Sequence, residues 1–341
     1  MWSRLNRMCH DLEPNYGTYL ALYFSLALIT GWVSFHSRKL GLNEAAAFQH
    51  GIYLGDRSHG FLSQVHGSRI LFPYLLHYVT TLSGLPVPYV FTLLRLGSIF
   101  AAYCAFHVYL KGWFDSRGAL IGTLFLTSSV QLTFIDWFEI PTDFVELLVF
   151  TLGCLLIRGN AIGPLLVLIA VGTLNRETTV LLVILLLVNG EIWRLKHWLA
   201  VAAAGGVFLA VYGGVKLLLG IRTFHYFLDP GLLRYNFSGV LVFFRNLNIY
   251  NNSLSWLYMF NIFWVLAPWG LREKPAFIRR SVMAVPLFLF VYLFGGGSLA
   301  EPREMIPLYP VLVPAGLLTF FRDRIAISPG PFLPVKKGAS S

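Results

Sequence analysis

Apolar stretches of about 15 to 24 residues recur along this chain, separated by short polar breaks. They fall near 17–35, 87–110, 118–135, 144–158, 161–174, 177–190, 198–220, 254–270, 281–295 and 305–321. Runs of this kind predict bilayer-crossing helices, so the chain reads as an all-α polytopic membrane protein of about 10 transmembrane helices. Two stretches need a decision. Residues 69–83 (RILFPYLLHYVTTLS) are apolar but short and carry Pro73 and His77, which predicts a helix lying in the outer interface. Residues 161–190 as one helix would measure about 45 Å, against a hydrocarbon core of about 30 Å. Both flanks are basic, Arg158 before and Arg194 with Lys196 after. Two short helices turning at Asn175-Arg176-Glu177 return both flanks to one side.

Charge then orients the spans. This threading gathers Arg4, Arg7, Lys111, Arg117, Arg158, Arg194, Lys196, Arg272, Lys274, Arg279, Arg280 and the basic tail from Arg322 to Lys337 on one side. Lys and Arg concentrate in short cytoplasmic loops, so both termini are expected in the cytoplasm. Segments 36–86, 136–143, 221–253 and 296–304 then face outward. No small-residue cleavage site follows the first apolar run, which is expected to stay as a helix. Residues 1–325 are expected to form one transmembrane domain, and 326–341 a short, basic, disordered cytoplasmic tail. The expected location is the plasma or inner membrane, or the endoplasmic reticulum membrane in a eukaryote.

Composition agrees and removes other classes. The chain is 56% hydrophobic with 29 Phe and 9 Trp, and its mean hydropathy is +0.66. A soluble core could not hide that much apolar surface. The net charge of +10 fits cations anchored at a membrane surface rather than nucleic-acid binding, because no basic run is long. Cys9, Cys104 and Cys154 are too far apart for a metal or disulfide framework.

Charged residues make up only 12% of the chain, and the acids interrupting the apolar pattern fall into four clusters. These are Asn43-Glu44 with Asp56-Arg57 and Arg69, then Asp136 to Asp143, then Asn175-Arg176-Glu177, then Glu301 to Glu304. The threading puts all four on the outer face. Ionisable groups at membrane depth are costly and mark sites or pathways. A carboxylate at an apolar interface is a candidate general base. Asn43 is placed to cap a helix beginning at Glu44. Asp143 and Glu146 suit either a site or the capping of the fourth span. Arg176 suits an internal pair with Glu177 or a phosphate, whose geometry matches a guanidinium fork. Arg95, mid-span, requires an acid from another helix or an anionic headgroup. His50, His59, His66, His77 and His225 form no recognisable ligand pair. Walker A, G-x-S-x-G, H-E-x-x-H and CxxC motifs are lacking.

In order and sidedness, residues 15–322 resemble the C-type glycosyltransferase superfamily of integral membrane enzymes. The resemblance rests on a first span followed by a long acidic loop (Glu44, Asp56) and on Arg69-Ile70-Leu71-Phe72-Pro73, similar to the family's R-x-L-x-P stretch. A basic inner turn, Lys111 to Leu120, the acidic turn at Asp136 to Asp143, the paired short helices around Arg176, and Arg303 with Pro307 and Pro310 continue it. The chain departs from the family in offering Asn43-Glu44 where an early Asp is usual, and, like the smaller members, it is expected to lack a large soluble C-terminal domain.

The resemblance implies transfer of a hexosyl or pentosyl group from a polyprenyl-phosphate donor to a glycan, lipid or protein acceptor at the outer or lumenal face, with inversion. It assigns Glu44 as base with Asp56 as the alternative. Arg69, Arg176 and Arg303, with Glu177, Arg95 and His66, bind substrate. Asp136 and Asp143 orient it or hold a loose divalent cation such as Mg2+ or Mn2+. The aromatic 221–253 loop would close over the isoprenoid. A lipid-linked saccharide flippase and a polysaccharide polymerase or ligase are the rival readings. Against a transporter, no repeated halves are visible.

Overall fold

The computed structural model describes residues 16–36, 42–53, 69–134, 142–191, 193–220, 255–294 and 301–321, with isolated positions between 231 and 237. Among these the chain is 87% helix with no strand. Four helices are long and apolar enough to cross a membrane: Tyr16–Val33, Val87–Lys111, Leu195–Leu218 and Ala276–Phe294. The chain is therefore read as a membrane protein.

In chain order the helices are α1 (Tyr16–His36), α2 (Leu42–Tyr53), α3 (Leu71–Ser83), α4 (Val87–Lys111), α5 (Ser116–Val130), α6 (Thr142–Arg158) and α7 (Ile162–Asn175). They continue with α8 (Val180–Asn189), α9 (Leu195–Leu218), α10 (Ser255–Phe260), α11 (Phe263–Leu266), α12 (Ala276–Met283), α13 (Val285–Phe294) and α14 (Tyr309–Phe320).

Not every apolar run becomes a long span. The 254–270 run breaks into α10 and α11, parted at Asn261, whose φ is 47°. Asn tolerates that left-handed conformation better than most residues. The last run yields a helix of only 12 residues, preceded by a 3₁₀ segment over Pro302–Leu308. Pro307, inside the 3₁₀ segment, lacks the N–H that an α-helical ladder would need there. Residues 71–83 do form a helix. Pro73 sits in its first turn, where a missing N–H is tolerated, and Gly84 ends it at φ 67°.

The core is continuous from α1 to α14. Tyr23 and Ala27 of α1 pack on Ile99, Ala102, Tyr103 and Phe106 of α4, while Phe24, Ile29 and Trp32 on the other face stay exposed. Apolar packing between helices gains little in lipid, so hydroxyl and imidazole groups contribute specificity. The Tyr23 hydroxyl meets His107 Nδ1 at 2.6 Å, and Thr30 Oγ1 meets the Tyr103 hydroxyl at 2.8 Å. Tyr109 donates to the Pro310 carbonyl at 2.7 Å.

Residues 161–190 fold as a hairpin. Arg176 is extended (φ −161°, ψ 140°) and ends α7. Gly172 brings α7 against α6, where an added Cβ would stand 2.8 Å from Val149 Cγ1. Gly153 of α6 receives Leu182 of α8, at 2.5 Å from a would-be Cβ. Helix α8 therefore runs back beside α6 rather than onward from α7. At one end of the bundle Arg158 donates to the Gly112 carbonyl at 2.9 Å and Arg280 to the Asn189 carbonyl at 3.1 Å. At that end too, Lys274 Nζ donates to the carbonyls of Leu266, Ala267 and Trp269. The opposite end holds the charged cluster.

Candidate functional site

The turn at Arg176 decides the site. Because α7 stops there, the guanidinium swings onto the first turn of α6, which presents Asp143 and Glu146 three residues apart on one face. Arg176 Nη1 donates to Asp143 Oδ1 at 2.7 Å and to Glu146 Oε2 at 2.6 Å. Its Nη2 donates to Glu304 Oε1 at 3.2 Å, from the 3₁₀ segment before α14. Thr178 Oγ1 donates to Glu146 Oε1, and Asn175 Nδ2 to the Thr142 carbonyl at 2.9 Å.

Two further pairs flank this centre. Arg69, two residues before α3, donates to Glu177 through Nη2 at 2.7 Å and Nε at 3.4 Å. Arg303 donates to Glu301 Oε2 through Nε at 2.8 Å and Nη2 at 2.7 Å. Glu304 is electrostatically coupled to Glu301, Arg69 and Arg303 as well as Arg176, so the pairs form one network. Five carboxylates (Asp143, Glu146, Glu177, Glu301, Glu304) face three guanidinium groups (Arg69, Arg176, Arg303). Among the described residues carboxylates outnumber guanidinium groups in this network.

Exposure is graded across the network. The side chains of Arg176, Asp143 and Glu146 are 0–1% exposed, whereas Glu304, Glu301 and Glu177 are 13%, 17% and 39% exposed. The floor is a closed Arg–carboxylate knot, and the accessible rim is mostly carboxylate. Burial pushes the Glu304 carboxyl above the ordinary carboxylate range, with Arg176 pulling it back down and Glu301 adding to the rise. Burial alone would weaken the positive charge of Arg69, but its Glu177 partner outweighs this and raises it. A buried Arg–acid knot repays its desolvation only through close geometry and further hydrogen bonds.

Of the residues expected from sequence, Arg69, Asp143, Arg176, Glu177 and Arg303 come together here. Arg95, fully buried in α4, donates to the Gly31 carbonyl of α1 at 3.2 Å. Glu44 lies on the backbone of α2, whose described side chains begin at Ala46. Asp56, His66, Asp136 and most of the 221–253 loop lie outside the described residues. Among the described residues no three His, Cys, Asp or Glu gather to hold an ion, and Asp136, paired with Asp143 in the cation reading, lies outside them. The Asp143 carboxylate is engaged by Arg176.

Four members were given no site role from sequence: Glu146, Glu301, Glu304 and Tyr292. Glu146 reads as a helix cap, yet its i,i+3 spacing from Asp143 on an otherwise apolar helix was the available signal. Glu304 follows Arg303 directly. Tyr292 of α13 had no signal at all. It is buried, acts electrostatically with Glu146, Glu304, Arg176 and Glu177, and its hydroxyl has no hydrogen-bond partner among the described residues.

Compared with protein-family models, with curated proteins and with solved structures, the chain matches none.

Proposed function

We propose that this chain is a multi-pass membrane glycosyltransferase of the C-type kind, with about 10 membrane passes once its shorter helices are counted. It transfers a sugar from a polyprenyl-phosphate donor to an acceptor hydroxyl at the outer or lumenal face. The observation that carries this reading is the convergence of Arg69, Arg176 and Arg303 with five carboxylates at one end of the helix bundle. Such a concentration of ionisable groups in a membrane protein is retained for function more readily than for stability.

In the proposed step Glu44, or Asp56 in its place, takes the proton of the acceptor hydroxyl. The acceptor oxygen forms the new bond to the anomeric carbon. The bond from that carbon to the phosphate oxygen breaks, and polyprenyl phosphate leaves with the electron pair. One displacement inverts the anomeric configuration. Arg69 and Arg303, which belong to the more open pairs, meet the phosphate by exchanging a carboxylate oxygen for a phosphate oxygen. Arg176 and Asp143 hold the floor, and Asp136 orients the sugar. A divalent cation, if used, would join through carboxylates of the rim and the donor phosphate.

The rival reading is a lipid-linked saccharide transporter, whose path would also carry paired charges. Incubating the purified protein with a polyprenyl-phosphate sugar and an acceptor panel separates the two. Release of polyprenyl phosphate supports the transferase, and flux into vesicles without release supports the rival.

A further inference from the structure

A second group of titratable side chains lies between α2 and α3, away from the arginine pairs. His50 and His77 are 27 positions apart, and Nε2 of His50 stands 3.3 Å from Nδ1 of His77. Their rings are near parallel, 17° apart with centroids at 5.6 Å. Tyr53 stacks on His77 at 3.7 Å and 13°. Tyr74 meets Tyr53 edge-on at 4.9 Å, and Tyr78 meets His77 edge-on at 5.6 Å. Ala46, with Phe72, Leu76, Val90 and Phe91, anchors the two helices beneath. The imidazoles are therefore held by packing on three sides while remaining half-buried rather than sealed.

Without an ion the two nitrogens share a hydrogen bond at 3.3 Å, the donor being set by tautomer. The same spacing admits one tetrahedral ion in place of the proton: bonds of about 2.0–2.1 Å at the tetrahedral angle place two imidazole nitrogens about 3.3–3.4 Å apart. We propose that His50 Nε2 and His77 Nδ1 form a two-imidazole site for a first-row divalent ion of the Zn2+ or Cu2+ type. Imidazole suits these ions, whereas Mg2+ and Ca2+ prefer oxygen. No third protein ligand gathers among the described residues, so water or an incoming donor fills the remaining positions. Such a site is open and exchangeable rather than a structural knot. It would pin α2, which carries Glu44, to α3, which begins two residues after Arg69. The inference does not depend on the glycosyltransferase reading.

The test uses the full chain in detergent, titrated with Zn2+ against a chromophoric chelator and with Cu2+ followed by electron paramagnetic resonance. The wild type should bind one ion at this site, with two equatorial imidazole nitrogens in the Cu2+ spectrum. His50→Gln and His77→Gln, which keep hydrogen-bonding capacity, should each weaken Zn2+ binding by about tenfold or more. Each should also lose the two-nitrogen signature. Absence of binding by the wild type, or binding and spectra unchanged in both variants, overturns the proposal. Should a variant fail to fold, the wild-type Cu2+ spectrum decides alone: two imidazoles uphold the site, and one or none contradicts it.

Discussion

Arg176 and Asp143 are 33 positions apart in the chain, yet Nη1 of one donates to Oδ1 of the other at 2.7 Å with both side chains almost fully buried. This bond closes α7 onto α6 and leaves α8 to return along the same helix. A buried charge stripped of its partner costs about 3–5 kcal/mol. Arg176→Met should therefore lower the thermal midpoint in detergent sharply. Adding Asp143→Asn and Glu146→Gln should recover part of the loss, because the stranded carboxylates are then neutral. A single variant as stable as wild type, or a triple variant with no recovery, contradicts the knot.

Glu304 carries the pH prediction. Its carboxyl is raised above the ordinary range by burial, against the pull of Arg176. A raised folded-state value means the folded chain holds the proton longer than the unfolded one. The stability this contributes is complete below the ordinary carboxylate range and fades as pH rises through the raised value. Glu304→Gln keeps the shape and removes the titration. Unfolding measured across pH 4.5 and upward should show a decline in wild type that is shallower in the variant. Parallel curves would show that Glu304 does not titrate differently on folding.

Two glycines should respond in opposite senses. A Cβ at Gly153 would stand 2.5 Å from Leu182 Cδ2 and 2.8 Å from its Cδ1, and Leu182 is fully buried. Gly153→Ala should cost about 1–3 kcal/mol through overpacking between α6 and α8. Gly205 of α9 has nothing within 4 Å of the added atom, so Gly205→Ala should gain up to about 0.5–1 kcal/mol of helix preference. Midpoints for the pair are compared in one detergent, and equal shifts of the same sign would refute the close α6–α8 contact.

Much of the frame was legible in hydropathy and charge. The hairpin at 175–177 followed from two basic flanks and a run too long for one span. What hydropathy could not reveal was the break at Asn261, because a positive φ leaves no trace in an apolar window. The ionic neighbourhood was half legible. Clusters of acids and arginines stand out in an apolar chain, so Arg69, Arg176 and Arg303 were found. Their pairing was not, since Arg176 reaches across the fold to Asp143, Glu146 and Glu304 while adjacent Glu177 pairs with Arg69. Tyr292 was invisible, being one aromatic in a run of aromatics, and its place at the cluster comes only from how α13 packs.

The central claim is the transfer reaction, and Glu44 is its proposed base. The most direct measurement follows polyprenyl-phosphate release from a polyprenyl-phosphate sugar by purified wild type and Glu44→Gln, with an acceptor panel and matched protein levels. The account predicts acceptor-dependent release by wild type and loss of it in a variant that inserts and accumulates normally. No release by wild type with any acceptor contradicts the transferase reading, and full activity of Glu44→Gln removes Glu44 as the base.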